Sequence, residues 1–278
     1  MKNYNQAPLP FQGQKRKFLK EFQTALKSHF NNESVFVDLF GGSGLLSHTT
    51  KQTLPGTRVI YNDFDDYRQR LANIDRTNAL LADLRPMAAH FSREKKLNEK
   101  TNAAILSRIK KEEKAGFVDY ITLSSSLLFS AKYATTFDGL SKETMYNNIK
   151  QSDYNADEYL EGVEVVRQDY KDLFAFWRQH PNVVFLVDPP YLSTDCTTYG
   201  GANYWRLANY LDVLQTVTGT SYFYFTSNKS SIVELCEWLE RNTGNHNPFA
   251  GATRKEMSMT LNKTSKYTDI MLFKNKNL

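Results

Sequence analysis

The run Val183–Tyr191 passes from five apolar residues straight into Asp188, Pro189, Pro190 and Tyr191. Both prolines lack an N–H and hold φ at about −65°, so a strand has to stop after Asp188 and a rigid elbow follows. The elbow presents a carboxylate, a proline carbonyl and an aromatic face: two hydrogen-bond acceptors beside a flat apolar surface. In open α/β folds the carboxyl edge of the sheet is where ligands bind. A strand-end turn with an unrelated tyrosine would carry the same four residues, so the rest of the chain must decide.

A second stretch with chemistry in it is DLFGGSG, residues 38–44. Gly42 and Gly44 let the backbone approach a ligand closely, and a helix beginning there offers free N–H groups and a partial positive charge. An anionic group fits such a turn, although a tight packing turn uses the same glycines. A nicotinamide fingerprint expects a third glycine where Ser47 stands, and the lysine of a phosphate-binding P-loop is missing; both common nucleotide readings weaken. Asp63 closes a second apolar run, about where α/β folds set an acid against the hydroxyls of a ribose. It could equally cap the helical stretch DDYRQRL. A ligand with a carboxylate and a free adenosine, but no phosphate, meets all of these demands, and S-adenosylmethionine is such a ligand.

Positioning these groups takes alternating strands and helices. SVFVDLFGGSGLLSHTT reads as strand, turn and helix start; TRVIYNDFDDYRQRLANIDRTNALL reads as a strand and then helical spacing through Tyr67, Leu71, Ile74 and Leu80. Two such units in succession predict a parallel sheet. VEVVRQDYKDLF and NVVFLVDPPY continue it. TSYFYFTSNKSSIVELCEWLE gives an aromatic strand and a helix with Ile232, Leu235 and Leu239 on its apolar face, and KYTDIMLFK a closing edge strand. Between Asp83 and Glu161 strands are hard to find and lysine-rich helical stretches take over, so the expected domains are 1–82 with 162–278 and an insert at 83–161.

Bulk properties narrow the class. The chain has 278 residues, 41% of them hydrophobic, enough for one large α/β domain with an insertion. No apolar run reaches membrane-spanning length and the opening MKNYNQAPLPFQGQKRKFLKEF lacks the apolar core of a signal peptide, so the expectation is a soluble, cytoplasmic protein. Two cysteines, Cys196 and Cys236, suit a reducing compartment, and the five dispersed histidines form no metal-ligand pattern. A net charge of +5 is compatible with a phosphate-bearing partner but does not demand one.

DLFGGSG, YNDFD and DPPY, in that order and with a large insert between the second and third, resemble the alpha class (Dam-type, D12 class) of DNA adenine-N6 methyltransferases over nearly the whole chain. The resemblance implies a Rossmann-like sheet, mostly parallel with an antiparallel closing strand, plus an inserted, mainly helical target-recognition region. It implies methyl transfer from S-adenosylmethionine to the N6 amine of a flipped adenine in double-stranded DNA, within a bacterial cell or a phage-infected host. PFQGQKRKFL is similar to the family's amino-terminal element and places Phe11, Gly13 and Lys15 beside the cofactor, with Lys15 near its carboxylate. Asp38, Phe40, Gly41, Gly42, Ser43 and Gly44 would form the cofactor turn, with Asp63 and Phe64 at the second strand end. RQDYKDLF resembles the segment whose acid, here Asp169, takes the cofactor's adenine amine, with Tyr170 as its aromatic neighbour. Taken from the residues alone, Lys15 could be a solvated lysine and Asp169 a helix cap.

In the family's logic Asp188 and the Pro189 carbonyl accept the two hydrogens of the target amine, Pro190 stiffens the elbow, Asp188 also borders the cofactor, and Tyr191 stacks on the extruded base. Within the insert Lys132, Tyr133 and Lys142 are the candidates for DNA contact, and Tyr199 and Tyr204 in the glycine- and threonine-rich stretch after the elbow are two more. The stretch Asn-Gly-Leu-x-Arg-x-Asn typical of Dam enzymes is missing, which leaves GATC recognition unsupported. N4-cytosine methylation of DNA, adenine methylation of RNA and an inactive DNA-binding homologue stay open as alternatives. A cognate restriction endonuclease is a partner that the resemblance allows.

Overall fold

The computed structural model describes residues 2–129, 132–191, 205–244, 246–260 and 266–277. The chain forms two compact units. One comprises Met1–Gln6, Gln14–Asp65 and Tyr159–Leu278, the other Ala7–Gly13 and Asp66–Glu158.

The first unit is built on a seven-stranded sheet. Its strands are β1 (Val35–Asp38), β2 (Arg58–Asn62), β3 (Glu164–Val166), β4 (Val183–Val187), β5 (Ser221–Ser227), β6 (Thr253–Thr260) and β7 (Lys266–Lys274), in the order β3-β2-β1-β4-β5-β7-β6. The first five run parallel; β7 is antiparallel to β5 and to β6. This is a Rossmann-like sheet, mostly parallel with an antiparallel closing pair. Every residue of β1, β4 and β5 is buried, as expected for strands covered on both faces. On one face α1 (Leu19–His29) and α2 (Leu45–Thr53) pack Phe22, Leu26 and Leu46 against Phe36, Leu186, Phe223, Phe225 and Met271. On the other, α8 (Tyr170–Trp177), α9 (Leu207–Val217) and α10 (Ile232–Thr243) cover Val37, Phe185, Tyr222, Tyr224 and Leu272.

Two details differ from the expected pattern. KYTDIMLFK is not the edge: β7 lies between β5 and β6, and the edge is β6, whose Arg254, Lys255 and Glu256 are exposed. Charges on an exposed edge hinder pairing with another chain. The face α10 buries includes Ile232 and Leu235 as expected, but its most buried residues are Ile232, Val233 and Cys236, and Leu239 is only half-buried.

The second unit contains α3 (Tyr67–Ala72), α4 (Ile74–Ala88), α5 (Glu99–Ala115), α6 (Tyr120–Leu127) and α7 (Phe137–Ser141). Its first helical residues precede position 83, and the continuous spacing from Tyr67 to Leu80 is broken at Asn73 into α3 and α4. Its own core joins Leu81 and Leu84 to Ile105, Ile109, Leu123, Leu127 and Leu140. Asn98, Asp119 and Thr136 cap α5, α6 and α7 by accepting a backbone N–H each. Arg70 on α3 donates through Nε to both Asp119 oxygens at 3.0 Å, with both side chains buried, and through Nη2 to Pro10 O at 2.8 Å. No described helix is long and apolar enough to cross a membrane.

Candidate functional site

The strand order reverses between β1 and β4, the kind of position at whose carboxyl ends open α/β sheets bind ligands. β1 and β4 pair with Asp38 opposite Leu186, and Leu39 N–H donates to Leu186 O at 3.0 Å. The glycine turn and the proline elbow therefore leave adjacent strands at the same edge, with Asp188 two residues beyond the register partner of Asp38.

The turn is held by what lies beneath it. Gly42 (φ 50°) and Gly44 (φ 72°) are left-handed, and Gly44 begins α2 with no side-chain cap. A Cβ on Gly41 would lie 2.2 Å from the Tyr61 ring, so only glycine fits there. The Tyr61 hydroxyl lies 2.7 Å from Gly42 O and 3.0 Å from Asp63 Oδ1, joining the turn to the end of β2. Tyr159 donates its hydroxyl to Ser43 O at 3.0 Å, and its carbonyl is bonded to His48 Nδ1. Asn62 donates to Leu39 O (3.1 Å) and Gln168 O (3.0 Å) and accepts from Gln168 N–H (2.9 Å), tying the ends of β1, β2 and β3 together. The sequence marked Asp63 in this strand end but not Tyr61 or Asn62, whose work is visible only once the strands are paired.

Asp38 is fully buried. Ser47 donates to its Oδ2 at 2.7 Å, which is why a serine stands where a dinucleotide turn has glycine, while Oδ1 has no partner among the described residues. Burial, with a further contribution from the charge of Asp188, pushes the Asp38 carboxyl up to about 7 against the lowering effect of the Ser47 bond.

At the elbow Lys15, just before the short 3₁₀ turn that leads into α1, places Nζ 2.6 Å from Asp188 Oδ2 and 5.3 Å from the centre of the Tyr191 ring. Lys15 is buried and the Asp188 side chain is 17% exposed. Burial raises the Asp188 carboxyl above its ordinary value and the Lys15 ammonium opposes that rise. Pro189 is buried, Pro190 and Tyr191 half-buried. The Tyr191 hydroxyl donates to Asp269 Oδ1 of β7 at 3.4 Å.

Beside the turn, Phe40 packs 4.8 Å from Tyr170 and 5.8 Å from Trp205, and Tyr170 stacks on Trp205 at 6.0 Å. Tyr170 Oη is buried without a partner among the described residues, and burial pushes its phenol up to about 12. Asp169 caps α8, accepting Lys171 N–H at 2.8 Å, and is exposed. Asp63 is buried and Phe64, at 54%, exposed. Trp205 was not among the expected site residues; the tryptophan ending STDCTTYGGANYW was the available signal.

Phe11 and Gly13 belong to the helical unit, where Phe11 packs edge-on against Tyr67 at 5.7 Å and Gly13 takes φ 83°. In the same unit Lys132 pairs with Glu143 at 2.5 Å, Lys142 with Asp138 at 2.6 Å, and Tyr133 is half-buried. Tyr199 and Tyr204 lie outside the described residues.

The sequence pattern described as D12 class N6 adenine-specific DNA methyltransferase matches residues 11–210. A Haemophilus influenzae protein named "Putative methyltransferase" is 36% identical over 279 residues, covering 98% of this chain and 93% of that protein. Among solved structures, a precorrin-6y C5,15-methyltransferase from Geobacter metallireducens GS-15 aligns over 99% of this chain and 100% of that one at 10% identity and a TM-score of 0.37, too slight a likeness to bear on fold or function. With a family pattern running from the amino-terminal PFQGQK segment through the proline elbow to α9, and a relative matched end to end, the chain belongs to the D12 class N6 adenine-specific DNA methyltransferase family.

Proposed function

We propose that the protein transfers a methyl group from S-adenosylmethionine to the N6 amine of an adenine extruded from double-stranded DNA. The observation that carries this is the shared edge: a buried acid under a glycine turn and a second acid at a proline elbow leave neighbouring strands at the point where the strand order reverses.

The residues present fit the cofactor. Asp38 keeps an unpartnered buried oxygen at the turn, and the half-buried Gly41 and Gly42 carry no side chain that would keep a ligand from the backbone. Gly41–Gly44 and Asp38 would hold the methionyl part, Asp63 the ribose hydroxyls, and Asp169 the adenine amine with Phe40 and Tyr170 against its ring; Phe64 and Lys15 are further members that the family resemblance suggests. When bound, the cofactor supplies an electrophilic methyl on a sulfonium.

The chain's own residues address the other reactant. An exocyclic amine conjugated with adenine is a poor nucleophile until its lone pair is localised. Asp188 and the Pro189 carbonyl accept the two amine hydrogens, drawing nitrogen toward tetrahedral geometry and stabilising the positive charge that grows on it. Lys15 holds one Asp188 oxygen, which opposes the rise that burial imposes on the carboxyl and leaves the other oxygen for the amine. Tyr191 offers its ring to the extruded base, offsetting part of an unstacking cost of a few kcal/mol. In the helical unit, Lys132 and Lys142 are held by exposed ion pairs worth about 0–1 kcal/mol, which phosphates can readily displace.

Mass spectrometry of nucleosides from plasmid DNA made with and without the protein tests this reading. N6-methyladenine appearing only with the protein supports it; N4-methylcytosine or an unchanged profile rejects it.

A further inference from the structure

The same edge holds a second buried carboxylate that the reading above leaves without a task. Asp269, on β7, is 7% exposed and faces Ser227 of β5 across the antiparallel ladder. Side chains two apart in a strand share a face. Asp269 is therefore in the row of Met271 and Phe273, and Asp188 in the row of Leu186, both directed to the side that α1 covers. Lys15 enters from that side, with Nζ 6.0 Å from the Phe225 ring centre as well as 2.6 Å from Asp188. Tyr191 bridges the group, its hydroxyl on Asp269 and its ring under the Lys15 ammonium.

Two carboxylates thus act on one ammonium: Asp188 by direct contact at 2.6 Å, and Asp269 through its charge and through the Tyr191 hydroxyl. A lysine facing Asp188 alone would orient it, but would also withdraw the negative charge that the amine hydrogens must meet. A second carboxylate acting on the same lysine restores that charge and leaves the pocket net negative, which suits a reaction that builds positive charge on nitrogen. We propose that Asp269 is a positioning residue for methyl transfer: by sharing Lys15 with Asp188 and tethering the Tyr191 hydroxyl, it lets the ammonium fix Asp188 without neutralising it and holds the ring in place. This rests on the roles given above to Asp188 and Tyr191.

The charges agree. Burial raises the Asp269 carboxyl, with Lys15, the Tyr191 hydroxyl and Lys17 opposing the rise. The charge of Asp269 in turn raises Asp188, Tyr191 and Tyr267. Removing that charge lowers the Asp188 carboxyl, so the acid limb of the rate profile, where Asp188 must be ionised to accept, moves to lower pH.

The test uses the full chain as wild type, Asp269→Asn, Asp269→Ala and Asp269→Glu, with methyl-labelled S-adenosylmethionine and unmethylated DNA. Rates are taken across pH alongside cofactor calorimetry and thermal melting. Asn keeps an acceptor for Tyr191 while removing the charge. The expected result is a fall in kcat of about 10- to 100-fold for Asp269→Asn, taken from the scale found for groups that orient metal ligands from behind, with cofactor affinity unchanged and the acid limb shifted down. Asp269→Glu should recover much of kcat, and Asp269→Ala should be slower than Asp269→Asn. A folded Asp269→Asn protein with wild-type kcat and acid limb overturns the proposal, as does a loss that follows melting temperature alone and is not relieved by Glu. If the wild type methylates no adenine, the parent reading fails; an active wild type with an indifferent Asp269→Asn rejects this inference alone.

Discussion

Asp38 gives the clearest quantitative consequence of the site. Its carboxyl is fully buried, and its value rises from 3.8 to about 7 because removal from water outweighs the Ser47 hydrogen bond. At about 1.4 kcal/mol per pH unit, that rise corresponds to roughly 4 kcal/mol. The sign follows from proton counts. Below pH 3.8 folded and unfolded chains both hold the proton, so this group has no effect on stability. Between 3.8 and about 7 the unfolded chain has lost it and the folded chain retains it, so stability declines with pH; above about 7 the full penalty is present. Asp38→Asn keeps an acceptor for Ser47 and cannot ionise. Urea denaturation of wild type and variant between pH 4.5 and 8 should show the variant gaining on the wild type across that interval, by up to about 4 kcal/mol at the alkaline end. Parallel stability profiles for the two proteins would refute the reasoning, since the burial of an unpartnered Asp38 oxygen would then carry no penalty.

Other substitutions probe the scaffold. Gly41→Ala drives a Cβ to 2.2 Å from the Tyr61 ring; overpacking of this kind costs about 1–3 kcal/mol, and calorimetry should show weaker S-adenosylmethionine binding because Tyr61 also holds Gly42 and Asp63. Unchanged melting and affinity would mean the turn is looser than described. Asp119→Ala leaves the Arg70 guanidinium buried beside an uncapped α6; chemical denaturation should show a loss of about 3–5 kcal/mol, and a loss below 1 kcal/mol would contradict the pair's role in the helical unit.

What could be read from sequence was local. The proline elbow, the glycine turn and the strand ending at Asp63 each announce themselves within seven residues, because proline, glycine and a buried run are geometric instructions at short range. The central strands were legible for the same reason. Partners distant in the chain were not: Lys15 finds Asp188 173 positions away, and Tyr191 finds Asp269 78 positions away, contacts that only the sheet order determines. β6 escaped notice because its start, Thr253–Glu256, is polar and exposed and offers no apolar alternation. The apolar face of α10 was legible through Ile232 and Leu235, which meet the core, while Val233 and Cys236 join it only once the helix is docked on the sheet. The lysine-rich helical stretch is partly neutralised within the helical unit: Arg108 pairs with Asp83 and Glu112, and Lys110 with Glu113.

The central claim is that Asp188 acts on an adenine amine while the glycine turn holds the methyl donor on the adjoining strand. Single-turnover transfer from methyl-labelled S-adenosylmethionine to duplex DNA, comparing wild type with Asp188→Asn, addresses it most directly when each preparation's cofactor affinity is measured in parallel. The account predicts label on adenine N6 with the wild type, and a rate reduced by about 10³-fold or more in a variant that still binds the cofactor. Wild-type transfer by Asp188→Asn, or label placed on any group other than adenine N6, would contradict it.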